Sequence, residues 1–303
     1  MTDLVQESEP IAPVAHRSRF RTTAETVLRN RLAVAGLAIL ALLVVVALAA
    51  PAIAPYTINE VDVANRLQGP SAQHWFGTDE LGRDVFSRVI IASRVSLQVG
   101  FISVGIALGV GVPIGLFAGY YGGRIDSVLM RLMDILFSIP AIVLAIAILA
   151  ALGPDIVNAM IAIGVVYTPI FARITRGSVL TLRDAVFVRA ARSIGASDGR
   201  IIGNHILPNV IAPIIVQTSL SLAFAILAEA ALSFLGLGVQ PPNPAWGRML
   251  SEGRGFFQQA PWMAIFPGLA IFVTVFAFNA FGDGLRDALD PQQRSVIESR
   301  GKA

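Results

Sequence analysis

The side chains of this sequence that could do chemistry are few and scattered. Serine hydroxyls such as Ser138, Ser219 and Ser221 could act as nucleophiles, but a nucleophilic serine needs a base beside it. The histidines that might serve lie far from these serines and from one another, at His16, His74 and His205. Cysteine is absent. The sequence therefore predicts no catalytic residue, no metal site and no cofactor.

ATP hydrolysis by this chain is excluded for a separate reason. A phosphate-binding loop of the form GxxxxGK[ST] requires a lysine, and Lys302 is the only lysine of the sequence. The net charge of +3 is small and gives no indication of a nucleic-acid partner. If the chain moves a solute, the energy must come from a partner or from an ion gradient.

Two polar side chains lie in one strongly apolar run. Thr218 and Glu229 are eleven residues apart, so after three helical turns they share a face. An ionisable residue within a membrane span is a functional candidate, and we predict that Thr218 and Glu229 line a pathway or an interface. Capping or packing is the alternative role for Glu229. A proton relay is not predicted, because no second buried acid or histidine accompanies this carboxylate or Asp134.

The composition is that of an all-α, polytopic membrane protein. Of the 303 residues, 55% are hydrophobic and 14% are charged, and the mean hydropathy is +0.69. Six apolar runs are long enough to cross about 30 Å of hydrocarbon as helices. We place these runs at 32–54, 95–118, 135–152, 158–175, 211–234 and 262–281. A tight hairpin at Gly153-Pro154-Asp155 joins the third and fourth.

The positions of the basic residues predict the orientation. Cytoplasmic segments carry the excess of arginine and lysine in membrane proteins. With the N-terminus inside, only six of the 23 basic residues fall outside. These six are Arg66, Arg83, Arg88, Arg94, Arg248 and Arg254. We therefore predict that both termini are cytoplasmic. The first run resembles a signal peptide at LAAPAIAP, but its length and the polar residues before it favour a span.

Glycines in the second run form two stripes. Gly105 and Gly109 share one face, while Gly111, Gly115 and Gly119 share another. Small residues let helix backbones approach closely in a membrane. We expect ordinary helix packing on both faces, with a helix that lines a pathway as the alternative.

Two outer segments separate the spans. The stretch 73–90 has Thr78 as a candidate cap, followed by apolar residues at helical spacing, which predicts a short amphipathic helix near the membrane surface. Residues 238–262 are rich in turn-forming residues and end at Trp262, a typical interfacial residue. Either segment is a candidate contact for a soluble partner or a cover over the mouth of the bundle.

The longest inner loop contains FVRAARSIGASDGRIIGNHILPNV, residues 187–210. We predict a helix that ends at Gly195 as a C′ residue, then a second helix capped by Ser197 or Asp198 and stopped by Pro208. The first helix has one apolar face, formed by Phe187, Ala190, Ala191 and Ile194. The second has an apolar edge formed by Ile201, Ile202 and Ile206. This pattern fits a docking helix and a surface-lying helix equally well.

The same stretch resembles the EAA loop of the inner-membrane permeases of bacterial ABC importers. That motif reads EAA, three residues, G, nine residues, I, x, LP. This sequence has Arg189 in place of the glutamate and His205 in place of the isoleucine. The resemblance implies a helix that couples the permease to an ATPase. The implied coupling residues are Arg189, Ala190, Ala191, Gly195, Ser197, Ile201, Leu207 and Pro208.

Further stretches resemble the dipeptide, oligopeptide and nickel permease subfamily. They are HWFGTDELGRDVFSRV (74–89), YYGGRIDSVLMRLMDILFSIP (120–140), EAALSFLGLGVQPPNPAWGRML (229–250) and GDGLRDALDP (282–291). The resemblance implies the type I importer permease fold with six transmembrane helices. It also implies an appended helix at 32–54, a periplasmic segment at 55–93, a five-helix core at 94–283 and cytoplasmic tails at 1–31 and 284–303.

The resemblance also implies a function and a set of partners. A second homologous permease would complete the pathway, two cytoplasmic ATPases would drive it, and a periplasmic binding protein would deliver di- or oligopeptides. Nickel or another small solute is the alternative substrate. An ion-coupled secondary transporter is the alternative class, but such carriers are often built from inverted repeats, and no clear repeat is present.

Overall fold

The computed structural model describes residues 26–289, and within this range the regular elements are helices. Five helices are long and apolar enough to cross a membrane, and a bent pair supplies a sixth span. The five are α1 (Arg31–Ile53), α2 (Val85–Tyr121), α5 (Ile156–Leu182), α7 (Asp198–Phe234) and α9 (Trp262–Leu289). Most of the two predicted tails lies outside the described residues, and several basic residues counted as cytoplasmic, such as Arg17, Arg294 and Lys302, lie there.

The third span differs from its prediction as a single helix over 135–152. It consists of α3 (Gly123–Ser138) and α4 (Ala141–Leu152), which meet at an angle of 93°. The break falls at Ile139, which is extended (φ −90°, ψ 131°), because the proline that follows it disfavours a helical conformation. The hairpin after α4 is confirmed: Gly153 has φ +94° and Asp155 caps α5.

Helix α2 starts ten residues before the predicted span. Asp84 is its N-cap, and the Asp84 carboxylate accepts a hydrogen bond from the Ser87 amide at 2.7 Å. The stretch 85–90 is therefore the beginning of α2, and no separate surface helix forms there. Thr78 is not the cap. Its hydroxyl donates to the carbonyl oxygen of Asn65. This hydrogen bond holds two parts of the first outer segment together.

Pro208 does not end a helix, contrary to the prediction. Helix α7 runs through it from Asp198 to Phe234. A proline lacks an amide hydrogen and crowds the carbonyl one turn earlier. The chain accommodates this with a π-helical turn over Ile201–Ile206, in which the Leu207 amide donates to the carbonyl of Ile202. Pro208 then lies in the first turn of regular α-helix, where it is well tolerated.

The second outer segment contains a helix that its turn-rich sequence did not predict. Helix α8 spans Trp246–Arg254. It is held by tertiary contacts: the buried Trp246 indole donates to the carbonyl of Val89 at 3.0 Å. Gly247 lies against the backbone of Ala230 on α7, where a side chain would not fit. The segment is thus a structured cover on the outer end of α2 and α7.

The closest helix pairing joins α2 and α5 through one of the two glycine stripes. A Cβ built at Gly111, Gly115 or Gly119 would lie 2.4–2.7 Å from atoms of α5. The other stripe is open, since among residues 26–289 no atom of another element lies within 4 Å of a Cβ built at Gly105 or Gly109. The expectation of packing on both faces is therefore correct for one face of the described chain. Helix α1 packs similarly on α9, where Gly36 meets the Ala277 carbonyl and Gly284 meets Ala33.

We expect Gly115→Ala to destabilise the bundle and Gly109→Ala to leave it unchanged or slightly more stable. The Cβ at Gly115 would approach the Ala172 carbonyl oxygen to 2.4 Å, and overpacking of this kind costs about 1–3 kcal/mol. At the open Gly109, alanine only improves helix propensity. Thermal unfolding of the two variants in detergent provides the measurement. Equal melting temperatures for them would contradict the packing described here.

Candidate functional site

The loop between α5 and α7 lies at the end of the bundle where α2 terminates. The resemblance implies a coupling role for residues 187–208, and we call residues 186–208, which include the whole of the first helix, the coupling loop. It begins with α6 (Val186–Ser193), whose faces differ from the prediction. Ala191 points inward together with Val188, and both are buried. Phe187, Ala190 and Ile194 point outward, and Ile194 is 85% exposed. Helix α6 is therefore anchored on one side and leaves an apolar surface on the other.

The end of α6 at Gly195 is confirmed as a C-terminal capping motif. Gly195 has φ +80°, a conformation that favours glycine. Its amide donates to the carbonyl of Arg192 at 3.0 Å, and the next amide, of Ala196, donates to the carbonyl of Ala191 at 3.1 Å. This pair of hydrogen bonds is the Schellman motif. Gly195 thus fixes a sharp change of direction between the two halves of the coupling loop.

The second half of the coupling loop is built into the bundle. Ser197 is the N-cap residue of α7, with an extended backbone, and Ile201 and Ile206 are fully buried. Leu207 is half-buried and Pro208 is exposed. Of the two residues that depart from the EAA pattern, Arg189 is exposed and His205 is half-buried. The apolar edge predicted for this half therefore packs inward.

Ion pairs at the same end of the bundle tie α3 to α5. The Arg176 guanidinium donates two hydrogen bonds to the Asp126 carboxylate, at 2.5 and 2.6 Å. Asp134 accepts a hydrogen bond from Arg173 at 2.7 Å. A bidentate arginine–carboxylate pair fixes orientation as well as distance. The bidentate pair ties the amphipathic α3 to α5, and the sequence spacings of 50 and 39 residues gave no indication of either pair.

Thr218 and Glu229 share α7 but have different surroundings. The Thr218 hydroxyl donates to the carbonyl of Ile214 within its own helix. Glu229 is only 1% exposed. Its carboxyl group accepts hydrogen bonds from Ser96 of α2 at 3.1 Å and from Ser233 at 2.7 Å. Glu229 therefore connects two helices near the outer end of the bundle.

A buried ionic cluster fastens the outer segment to α2 and α8, and the sequence did not reveal it. Arg83 donates to Asp79 at 2.6 Å, and both Arg83 and Arg88 lie within 3.4 Å of the Glu252 carboxylate on α8. Burial raises the pKa of the neighbouring Glu80 carboxyl. Breaking a buried ion pair leaves an uncompensated charge, so this cluster holds the first outer segment firmly against α2 and α8.

An apolar cavity of about 210 Å³ opens between α4, α5 and α7. Tyr167, Phe224 and Leu227 are among the residues that line it. Among residues 26–289, no group of three or more histidine, aspartate or glutamate side chains is placed to hold a metal ion. The lining of the cavity consists of apolar side chains together with Tyr167.

Comparison with known proteins shows matches over nearly the whole chain. Residues 111–295 match the family described as "binding-protein-dependent transport system inner membrane component". Residues 18–70 match the family described as "N-terminal TM domain of oligopeptide transport permease C".

Individual relatives agree with the family matches. A protein named dipeptide transport system permease protein DppC, from Alkalihalophilus pseudofirmus, is 51% identical over 92% of this chain and 91% of its own length. The glutathione transport system permease protein GsiD of Pectobacterium atrosepticum is 46% identical over 88% of this chain and 89% of its own length. The protein of the same name from Escherichia coli O157:H7 is 49% identical over 87% of this chain and 88% of its own length.

Among solved structures, one in an inward-facing conformation of the MetNI methionine ABC transporter has a similar fold. The TM-score is 0.56 at 18% sequence identity, and the match covers 68% of this chain and 97% of the other. This likeness concerns the fold alone.

We expect Glu229→Leu to lower the free energy of unfolding by about 1–3 kcal/mol, because the buried Ser96 and Ser233 hydroxyls lose their acceptor. Glu229→Gln keeps a carbonyl oxygen at the same position and should destabilise the protein less. Thr218→Val serves as the control, since that hydroxyl bonds only within its own helix. Thermal unfolding in detergent compares the three variants. A Glu229→Leu variant no less stable than Thr218→Val would contradict the role of Glu229 as a helix connector.

Proposed function

The chain belongs to the family of binding-protein-dependent transport system inner membrane components, and we propose that it forms half of the translocation pathway of an ATP-driven peptide importer. It is a multi-pass, non-catalytic permease subunit of the inner membrane. The observation that carries the proposal is the coupling loop, which is anchored on one side and apolar and exposed on the other. Such a surface suits a partner that supplies the energy.

Peptides are the substrate class that the relatives favour. One relative is named for dipeptide transport and others for glutathione, which is itself a tripeptide. These names favour peptides over nickel. The match to a family of binding-protein-dependent transport components likewise favours partner-driven transport over an ion-coupled carrier. The exposed wall of α4, α5 and α7 around the apolar cavity is the surface that a second homologous permease would complete into a pathway.

The coupling loop is the proposed contact with two cytoplasmic ATPases. Phe187 and Ile194 offer apolar side chains to a groove of the ATPase, and the small Ala190 between them allows close approach. The exposed Arg189 takes the position of the glutamate in the EAA motif, so we expect its partner surface to be acidic. This assignment places the coupling loop, and with it both termini, on the cytoplasmic side.

The opposite end of the bundle is the proposed contact with the binding protein. Helix α2 has 37 residues, so its two ends are about 55 Å apart. The outer end carries the cover formed by residues 55–84 and 238–261, held by the buried ionic cluster. A rigid, mostly polar cover at this distance from the coupling loop is suited to receive a soluble protein on the periplasmic side.

We expect Ile194→Asp to abolish association with the ATPases, because it places a charge in the apolar contact surface. Val63→Asp is the matched control, since Val63 is similarly exposed, at 63%, on the outer segment. Co-purification of the ATPases with each variant from membranes of the native host is the measurement.

The same two variants also test the proposed contact with the binding protein, and here Val63→Asp is the variant expected to be impaired. Val63→Asp should weaken binding-protein-dependent stimulation of ATP hydrolysis in the assembled complex, whereas its ATPases should remain bound. Normal ATPase retention by Ile194→Asp would overturn the proposed coupling site, and crosslinks of the binding protein only to other surfaces would overturn the outer contact.

We expect Arg189→Glu to reduce ATPase co-purification by about tenfold, in line with the energy of a charge pair at a protein interface. Arg189→Gln, which removes the charge without reversing it, should have a smaller effect. Raising the salt concentration should weaken the wild-type contact if the pair is exposed. Equal retention of the ATPases by wild type and Arg189→Glu would show that Arg189 is merely solvated.

A further inference from the structure

We propose that the Tyr120 hydroxyl joins the coupling loop to α2 and thereby passes movement of the loop to the transmembrane helices. The proposal rests on the proposed function of the coupling loop, and it assigns a positioning role to a residue outside the EAA-like motif. Tyr120 is the penultimate residue of α2 and is 7% exposed. Its side chain lies between the end of α2 and the loop.

Both hydrogen-bonding capacities of this hydroxyl are directed at charged groups of the loop. The Tyr120 hydroxyl donates to the Asp198 carboxylate at 2.6 Å and accepts from the Arg192 guanidinium at 3.2 Å. The guanidinium carbon also lies 5.6 Å from the centre of the Tyr120 ring, within the range of a cation–π contact. Hydrogen bonds to charged groups are stronger than those between neutral groups.

The two partners stand on opposite sides of the break in the coupling loop. Arg192 is in the last turn of α6, and Asp198 is in the first turn of α7. Gly195, with φ +80°, lies between them. A single oxygen atom of α2 therefore holds both halves of the loop and restrains their distance from α2.

Other contacts between the loop and the bundle are of a different kind. Val188, Ile201 and Ile206 are buried apolar side chains, and apolar contacts are not directional. They allow the first half of the loop, α6, to tilt without losing much contact, whereas the residues from Asp198 onward are part of α7. The hydrogen bonds of Tyr120 have a defined geometry, so a displacement of the loop either moves the end of α2 or breaks them.

Movement at Tyr120 has a rigid path into the membrane. Gly119 and Gly115, the residues just before it on the packed face, lie against the backbone of α5. The Arg183 side chain at the end of α5 reaches the Gly119 carbonyl at 3.5 Å. Helices α2 and α5 are thus closely joined at this end, and a pull on Tyr120 moves them as a pair.

The test uses the complete transporter, co-purified with its ATPases and binding protein and reconstituted in lipid vesicles. Uptake of a labelled dipeptide, and separately of glutathione, is measured together with ATP hydrolysis. Tyr120→Phe removes only the hydroxyl, and we expect the peptide transported per ATP hydrolysed to fall by about tenfold. ATPase co-purification should remain unchanged, because the exposed face of α6 is intact.

The adjacent Tyr121 provides a matched control. Tyr121 is 47% exposed and stacks on Phe117, so Tyr121→Phe should transport peptide as wild type does. Asp198→Asn should reduce transport per ATP as Tyr120→Phe does, and the double variant should be no worse than either single variant, because all three break the same link. A purely structural role would instead lower thermal stability and the yield of complex, with an unchanged ratio of transport to hydrolysis.

The outcomes separate this proposal from the proposed function. Wild-type transport per ATP in Tyr120→Phe, or equal losses in Tyr120→Phe and Tyr121→Phe, overturns the role of Tyr120 while loss of ATPase binding in Ile194→Asp still supports the coupling site. Normal ATPase binding in Ile194→Asp overturns the coupling site itself. If Tyr120→Phe does not yield an assembled complex, Arg192→Gln at an exposed position tests the same hydroxyl, with the same loss expected and wild-type transport per ATP counting against the proposal.

Discussion

The approach of α2 to α5 along Gly111, Gly115 and Gly119 is the contact on which the rest of the structure depends. In lipid, burial of apolar side chains gives little drive for helix association, so close backbone packing must supply it. Because α2 is longer than a membrane span requires, its ends extend to both sides of the bundle. The outer end starts at Asp84 beneath the cover, and the inner end reaches the coupling loop at Tyr120. One well-packed helix therefore reaches both of the surfaces that we propose as contacts for soluble partners.

Because apolar burial holds helices together only weakly in lipid, the polar contacts between the helices also matter for the bundle. A buried polar group is costly unless it is hydrogen-bonded. Many buried hydroxyls of the bundle, such as those of Thr168 and Thr274, donate to a carbonyl of their own helix, whereas several carboxylates join elements that are distant in sequence. Glu229 meets Ser96 across 133 residues, and Arg88 meets Glu252 across 164. These pairs add direction to helix contacts that apolar packing alone would leave free to slide. They lie near the outer end, while Arg176–Asp126 and Tyr120–Asp198 do the same at the inner end.

Hydropathy and helical spacing predicted most of the fold because a membrane span is a local property of sequence. The positions of α1, α5 and α9, the hairpin at Gly153 and the cap at Gly195 all follow from length, apolarity or glycine conformation. The errors arose where distant contacts, or the local accommodation of a proline, decide the structure. Helix α8 is short and turn-rich, and it depends on Trp246 reaching Val89. Pro208 predicts a helix end unless the preceding turn widens, which the π-helical turn does.

The candidate site, like the fold, could be predicted only in part from the local sequence. The EAA-like motif located the coupling loop, but it did not separate residues that anchor the loop from residues that are free to meet a partner. A helix of eight residues such as α6 must satisfy both needs with two turns. Val188 and Ala191 use the inner face, so Phe187 and Ile194 remain outside. The contact of Tyr120 with the loop could not be predicted, because Tyr120 lies 72 residues from Arg192 in the sequence. A loop that is to transmit force must be held by something outside its own sequence, and for this loop a directional hold of that kind comes from the end of α2.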